Sequence, residues 1–438
     1  MTLLRQQDNQ PSNKLVPRSV LWTFILITSC FAWWGLANNM TDTLLAAFKR
    51  IMSLSDFKTA WIQIAFYGSY FCLALPAAVI IKKWTYKTGI LLGLGLFILG
   101  ALLFFPASRT MNYGFFLLSL YILAGGLSVL ETAANPYIIA LGPANTGTQR
   151  LNFAQSFNPI GSVLGVFLSK WFILSHLNVA SADERSSMSL EQLKEIQSKE
   201  LEAVMEPYVA VALLMVIIWI LIAITKMPRC SDTSSGGWKD LNLTLRRLSK
   251  NSHYRWGVIA QFFYVGAQIG VWSFTIRYVM QELNLNEADA SNYYLAALIL
   301  FMIFRFISTW LMDFLHPEKL LVLLAILGMG CTLIVIFGEG QTGVYALVAI
   351  SGCMSLMFPT IFGLAVQGLG EDTKIGGAGL IMAILGGAVL TPIQGQVSDM
   401  TSSVNFSYVI PLCCFLVIAY FGFNICRKSQ LRERKLNA

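Results

Sequence analysis

Charge is scarce in this chain. Of its 438 residues only 12% are Asp, Glu, Lys or Arg while 56% are hydrophobic, and the mean hydropathy is +0.63. That balance excludes an ordinary soluble domain. Histidine is scarcer still: His176, His253 and His316 are the only three, and all fall in loops or at the ends of apolar runs. No HExxH pair and no serine–lysine dyad lies inside a run, which argues against an intramembrane enzyme. The eight cysteines (Cys30, Cys72, Cys230, Cys331, Cys353, Cys413, Cys414, Cys426) show no paired spacing. Neither a disulfide framework nor a zinc site is implied, and no cofactor is expected.

What the sequence has instead is apolar runs of roughly 18 to 30 residues, repeated from end to end. A helix of about 20 residues crosses the ~30 Å hydrocarbon core of a bilayer. Spans are expected near 20–48, 59–81, 88–107, 112–141, 152–174 and 207–225, then near 256–280, 292–315, 319–337, 342–367, 375–397 and 408–426. The fold class is therefore an all-α polytopic membrane protein with twelve transmembrane helices, six before and six after one long hydrophilic stretch. The polar, basic segment 1–19 leads into a run too long for a signal-peptide core, so the first helix is expected to stay as an anchor.

Lysine and arginine set the expected orientation, because cytoplasmic loops retain them. With the N-terminus inside, inward tails and loops hold about 21 of the 31 basic residues and outward loops about 8. Both termini are then cytoplasmic. The expected organisation is a tail at 1–19, a six-helix bundle at 20–225, a basic linker at 226–255, a second bundle at 256–426 and a basic tail at 427–438. The net charge of +8 is concentrated in that linker and tail, where it suits an anionic inner leaflet rather than nucleic acid. Within the linker, "WKDLNLTLRRL" is consistent with a short helix at the membrane surface or with a solvated basic linker. The acidic segment 175–206 is expected outside, with one or two short amphipathic turns and no chemistry assigned.

Short charged turns at "IIKKWTYKTG" (80–89) and "RFISTWLMDFLHPEKLL" (305–321) occupy comparable places in the two halves. They support a pseudo-repeat of two six-helix bundles related by an axis along the membrane normal. Arg305 and Asp313 sit towards the end of an apolar run, where a paired charge is cheaper than a lone one.

A central charge in the bilayer costs about 2.5–3.5 kcal/mol on insertion scales, so each buried ionisable group is a functional candidate. Glu131 lies in the middle of the fourth span, in "LETAANP", with Asn135 one turn on and Pro136 beside it. Asp42 lies in the outer half of the first, where Trp34, Asn38 and Asp42 stack at intervals of four and Asn39 is adjacent. Asn152, Gln155, Asn158 and Ser162 make a polar face in the fifth span, and Gln261, Tyr264, Gln268 and Trp272 make another in the seventh. Such faces cannot look at lipid without unsatisfied amides, so they are expected to turn onto a shared cavity.

Carboxylates and primary amides take paired hydrogen bonds from adjacent hydroxyls, and an indole or phenol face covers the C–H side of a pyranose. The expected ligand is a small neutral sugar, with Arg305 the one reservation against a neutral substrate. Structural readings stand beside these: Glu131 as an interhelical clamp, Asp42 as a hydrated group at the interface, the amide stripe as helix–helix glue. The Gly-rich stretch 376–388 is read as packing and bending. A carboxyl crosses the bilayer cheaply only when neutralised, which points to a proton as the coupling ion. One charge moving through ~100 mV is worth roughly 2.3 kcal/mol, or about fifty-fold accumulation of a neutral solute. Sodium could use the same carboxylates, but no cluster of broken-helix carbonyls is evident to hold it.

The pieces "WWGLANNMTD", "QIAFYGSYF", "GLSVLETAANPYI", "RLNFAQSFN", "AQFFYVGAQIGVWSF", "FRFISTWLM", "FPTIF" and "GEDTKIGG" together closely resemble the fucose permease family. These are sugar:proton symporters of the major facilitator superfamily in bacterial inner membranes. The resemblance implies L-fucose uptake by alternating access, with Asp42 as main proton site and Glu131 binding sugar and transmitting protonation. It also implies that Trp34, Asn39, Gln155, Asn158 and Arg305 match pocket or helix-lining positions. "FNP" at 157–159 looks more like relatives that move glucose, galactose or N-acetylglucosamine. Phe358 stands before Pro359 where a tyrosine is expected for fucose, removing one hydroxyl. A membrane sugar sensor on the same fold is the alternative from another class, and no obligate protein partner is evident.

Overall fold

The computed structural model describes residues 15–51, 56–173, 188–228 and 238–436. In the first half the helices are α1 (Leu21–Ile51), α2 (Asp56–Lys83), α3 (Tyr86–Thr110), α4 (Tyr113–Ala140), α5 (Gly147–Gln155), α6 (Phe157–Leu168) and α7 (Leu190–Ile224). After the linker helix α8 (Trp238–Lys250) come α9 (Ser252–Leu283), α10 (Glu287–Leu311), α11 (Pro317–Phe337), α12 (Gly340–Met354), α13 (Met357–Val366), α14 (Thr373–Met382), α15 (Gly386–Thr401), α16 (Val404–Ser407) and α17 (Val409–Leu436). No strand occurs among the described residues.

Eleven segments among the described residues are long and apolar enough to cross a membrane. The twelfth span is the pair α5–α6 with its π-helical extension Ser169–Ile173. Arg150, Asn152, Gln155 and Asn158 lie along it and lower its apolarity. Three spans are broken inside: α5–α6 at Ser156, α12–α13 at 355–356 and α14–α15 by a 3-10 turn at Ala383–Leu385.

Capping sets many of the boundaries. Thr85, Asn112, Asn251 and Asn286 each accept a backbone N–H of the first turn of α3, α4, α9 and α10, satisfying donors that a helix start leaves open. Arg150 is wholly buried and donates to the carbonyls of Ile138 (2.8 Å), Ile139 and Pro143. A cation at the C-terminal end of α4 is matched by the carbonyls left free there, so this charge is structural. Lys87 does the same for α7 through Ala223 O (2.7 Å) and Thr225 O (2.8 Å).

The acidic segment departs from expectation. In place of one or two short turns, a single 35-residue helix runs from Leu190 through Pro207 to Ile224. Ser189 starts it with a capping box to Gln192, a signal that sits before the apolar run rather than in it. Residues 174–187 and Cys230 lie outside the described residues.

The packing repeats between halves. α1 packs on α6 as α9 packs on α15, α2 on α4 as α10 on α12, α3 on α7 as α11 on α17, and α3 on α4 as α11 on α12. The α1–α6 crossing is backbone to backbone. A methyl group at Gly161 would collide with the Ala32 carbonyl, and one at Gly35 with the Asn158 carbonyl; only glycine permits this approach. Leu99, Leu118, Ile217, Ile326, Leu327 and Phe423 point outward and exposed, as a lipid-facing belt requires.

The halves meet chiefly at the end bearing the linker, hereafter the linker end. There α2 and α4 pack on α14, and α5 packs on α13 and α10. Gln149 Nε2 donates to Asp313 Oδ1 (2.6 Å) and to the Thr309 carbonyl (3.3 Å), and Asn152 Nδ2 donates to Thr360 Oγ1 (3.1 Å). At the same end α8 buries Thr244 and Leu248, and its Arg247 donates to both carboxylate oxygens of Asp372, 2.8 and 2.6 Å away. Of the two readings of the linker, a short helix or a solvated segment, the helix is the one that forms, and it is fastened to the protein.

Candidate functional site: a polar cavity between the halves

A cavity of about 130 Å³ lies between the two halves at mid-span. Helical spacing brings its walls together. Trp34 and Asn38 are four apart on α1, Gln268 and Trp272 four apart on α9, and Phe301 and Arg305 four apart on α10; each pair shares one face. Glu131 enters from α4, and Gln155, Asn158 and Ser162 enter from the broken α5–α6 span. Towards the end away from the linker, Asn38, Asn39, Tyr67, Ser162 and Trp272 keep partial exposure. Glu131, Gln155 and Arg305, on the other side, are 1%, 2% and 3% exposed. The cavity thus opens away from the linker and is closed beneath.

Arg305 forms part of that floor, and two prolines explain how. Proline lacks the N–H that would bond the carbonyl four residues back. Pro159 therefore frees the Gln155 carbonyl, and Pro359 frees the Ser355 carbonyl. Arg305 uses both: Nη1 donates to Gln155 O at 3.1 Å and Nε donates to Ser355 O at 2.5 Å. The guanidinium also lies over the Phe301 ring, 4.7 Å from its centroid.

The two indoles are fixed by their N–H groups, as buried tryptophans usually are. Trp34 donates to the Tyr70 hydroxyl at 3.2 Å, and Trp272 donates to Ser351 Oγ at 3.2 Å while meeting Phe301 edge to face at 5.1 Å. Glu131 has no such arrangement. Its carboxyl lies close enough to the Tyr70 hydroxyl of α2 to interact with it, although neither oxygen makes a hydrogen bond of ordinary length and angle. A bare carboxylate in that position costs several kcal/mol, so a charge there demands either a ligand or a proton. The clamp reading of Glu131, which needs a bond to a neighbouring helix, rests on this approach to Tyr70 of α2.

Trp34, Asn38, Asn39, Glu131, Gln155, Asn158, Gln268, Trp272 and Arg305 line this one cavity. Asn135, Gln261 and Tyr264 do not. They lie one or two turns nearer the linker end, and Tyr264 spends its hydroxyl on the Met354 carbonyl at 3.2 Å. Their spacing placed them on the right face, but the helices have closed over them at that depth. Asp42 falls on the α1 backbone, with its side chain outside what the structure describes.

Phe66, Tyr67 and Tyr70 on α2, together with Phe301, are cavity residues that the sequence reading did not single out. Their signal was present in "QIAFYGSYF", where aromatic rings recur at three and four residues. Inside an apolar span such a pattern reads equally well as core or lipid-facing surface. Metal chemistry has no visible seat: no group of His, Cys, Asp and Glu suited to an ion occurs among the described residues.

Two repeated six-helix halves around one mid-span polar cavity, open at one end and shut at the other, define a membrane transporter of the alternating-access kind. The chain belongs to the Major Facilitator Superfamily, whose family model matches residues 22–392. It is 43% identical to the L-fucose-proton symporter of Haemophilus influenzae over 420 residues, covering 94% of this chain and 98% of that one. It is 40% identical to the L-fucose-proton symporter of Escherichia coli, over 92% and 93% of the two chains. A glucose/galactose transporter of Brucella abortus is 32% identical, over 90% and 92%. The crystal structure of the E. coli transporter FucP in its outward conformation superposes with a TM-score of 0.87 at 40% identity, covering 92% of this chain and 99% of that one.

Proposed function

We propose that this chain is a proton-coupled symporter importing L-fucose across the bacterial inner membrane by alternating access. The observation that carries the reading is the cavity itself. Fixed indole faces, amides from both halves and one buried carboxyl converge in a space open at only one end. Amides and a carboxyl answer the hydroxyls of a monosaccharide, and the indoles answer its C–H face. Two L-fucose-proton symporters at 43% and 40% identity over nearly the whole chain support the choice of sugar and ion.

In this reading both termini and the linker 226–255 face the cytoplasm, joining bundles 20–225 and 256–426, so the conformation described is outward-facing. Trp34, Asn38, Asn39, Gln155, Asn158, Gln268, Trp272 and Arg305 contact sugar. Glu131 binds sugar and helps transmit protonation, and Asp42 is the main proton site. Neutralising an acid by a proton before the cavity turns over removes the cost of moving its charge through hydrocarbon.

The test is uptake of radiolabelled L-fucose into right-side-out vesicles under an imposed pH gradient, for wild type, Glu131→Gln and Asp42→Asn. Wild type is expected to accumulate the sugar and both variants to lose accumulation. Saturable binding without accumulation would make the protein a sensor. A second sugar is favoured by one specific observation. Phe358 lines the cavity where it offers no hydroxyl, and the Brucella relative is a glucose/galactose transporter. Competition by galactose, glucose and N-acetylglucosamine in the same assay separates these outcomes.

A further inference from the structure

At the floor of the cavity and just below it, on its linker side, three polar side chains are buried with atoms that bond to nothing. Gln261 is 0% exposed, and neither its Oε1 nor its Nε2 has a partner. Asn135 is equally buried; its Oδ1 accepts from Gln155 Nε2 at 3.0 Å, but its Nδ2 is unpartnered. Ser355 gives its carbonyl to Arg305 while its Oγ stays unpartnered. Buried polar groups are paired in the great majority of cases. Each exception costs about 1–3 kcal/mol, so several at one depth call for a physical reason.

Their placement supplies one. Gln261 and Asn135 extend walls of the cavity towards the linker end: Gln261 precedes Val265 by one turn on α9 and Asn135 follows Glu131 by one turn on α4; Ser355 precedes Phe358 on a span that runs towards the linker end, so it stands at the cavity floor itself. They are also joined to the cavity floor. Arg305 bonds Ser355 and Gln155, Gln155 bonds Asn135, and Tyr264 ties α9 to Met354, the residue before Ser355. Beneath them the linker-end contacts Asn152–Thr360 and Gln149–Asp313 close the path.

We propose that Gln261 and Asn135 form a second, release-side station for the hydroxyls of a neutral monosaccharide, completed when the linker end opens. This rests on the sugar-symport reading above. The chemistry suits such a ligand: one amide offers a free acceptor and donor, the second a free donor. Neither carries charge. Arg305 already spends two donors on main-chain carbonyls at the boundary between the upper and lower groups.

The arrangement also acts on the conformational equilibrium. Polar atoms left unbonded in the outward-facing state raise its free energy, and opening the linker end to water and sugar relieves that strain. A group that favours one state over the other shifts the population by that difference. Gln261→Leu, of similar size, removes the unbonded amide and should hold the protein outward-facing at equal or higher thermal stability.

The experiment compares half-saturation for sugar at the two faces, using right-side-out and inside-out vesicles. It uses wild type, Gln261→Leu and Asn135→Ala, with whichever of L-fucose, galactose or glucose the wild type carries. The proposal expects Gln261→Leu to raise half-saturation at the cytoplasmic face by about fivefold or more, the effect of one neutral hydrogen bond, with the outer face changed by less than about twofold. Asn135→Ala should show the same asymmetry, so the test survives poor insertion of the first variant. Equal changes at both faces, or none at either, overturn the station while leaving sugar symport intact. Failure of wild type to carry any of these sugars overturns the transport reading and the station with it.

Discussion

Arg305 Nη1 donates to the Gln155 carbonyl at 3.1 Å, a bond from one six-helix half to the other. The acceptor is free because Pro159 cannot bond it within the helix. Closure beneath the cavity thus depends on a proline in one half and an arginine in the other. Arg305→Lys keeps the charge but loses the planar fork that spans two carbonyls. Uptake is expected to fall by about tenfold or more, matching one charged hydrogen bond of about 1.5–3 kcal/mol. Pro159→Ala should weaken the same contact from the other side by returning the Gln155 carbonyl to its helix. Initial-rate uptake at saturating sugar, with thermal stability as control, measures both; unchanged rates in both variants would remove Arg305 from the gate.

Glu131 makes a different prediction, because its carboxyl is buried with no cation bonded to it, only the Tyr70 hydroxyl nearby. Glu131→Gln preserves shape and hydrogen-bonding capacity but cannot take up or release a proton. Accumulation driven by a pH gradient should disappear, and uptake should lose its dependence on external pH. Exchange of labelled for unlabelled sugar at equal pH should persist, since it needs no net proton movement. Loss of exchange along with accumulation would make Glu131 indispensable for binding rather than for coupling.

The helices and the polar stripes were legible in the sequence for the same reason: apolar run length and the 3.6-residue period leave a direct trace in the residue order. Depth along a stripe left none. Gln268 and Gln261 share one face of α9, yet one borders the cavity and the other is sealed below it, because α13 and the α14–α15 turn close over that level. Aromatic cavity residues were hidden by composition, since Phe66 and Tyr67 look like any apolar residue in a span. The start of α7 at Leu190 was missed because its capping box lies in an acidic stretch, well before the hydropathy rises. Arg305 was read beside Asp313 as a charge cheaper paired than alone, but its hydrogen-bond partners are main-chain carbonyls while Asp313 accepts from Gln149, which residue identities do not display.

The α1–α6 crossing offers a stability test with a functional readout. Gly161 lets the Ala32 carbonyl approach so closely that an added methyl group would collide with backbone, not with a movable side chain. Gly161→Ala must push α1 and α6 apart. Overpacking typically costs about 1–3 kcal/mol, so thermal stability should drop measurably. Trp34 and Asn158 flank that crossing, so sugar affinity should fall as well. Gly330→Ala is the control, because nothing lies within 4 Å of the added carbon there; its stability and affinity should stay near wild type. If Gly161→Ala matches that control, the helices are not held at this distance in the membrane.

Phe358 tests the choice of sugar. Its ring lines the cavity and packs against Tyr264 at a centroid distance of 6.1 Å, so a hydroxyl added at the ring tip stays within a site that already accepts an aromatic of that size. Phe358→Tyr introduces one donor and acceptor among groups that bind hydroxyls. A single net hydrogen bond is worth about 0.5–1.5 kcal/mol, or roughly two- to tenfold in affinity. Competition binding read from the fluorescence of Trp34 and Trp272 should show L-fucose gaining by that factor relative to glucose and galactose. A gain shared equally by all three sugars would mean that the hydroxyl meets a feature common to them. A loss for fucose alone would mean that the benzyl group of Phe358 covers an apolar part of that sugar, with its methyl group as the natural candidate.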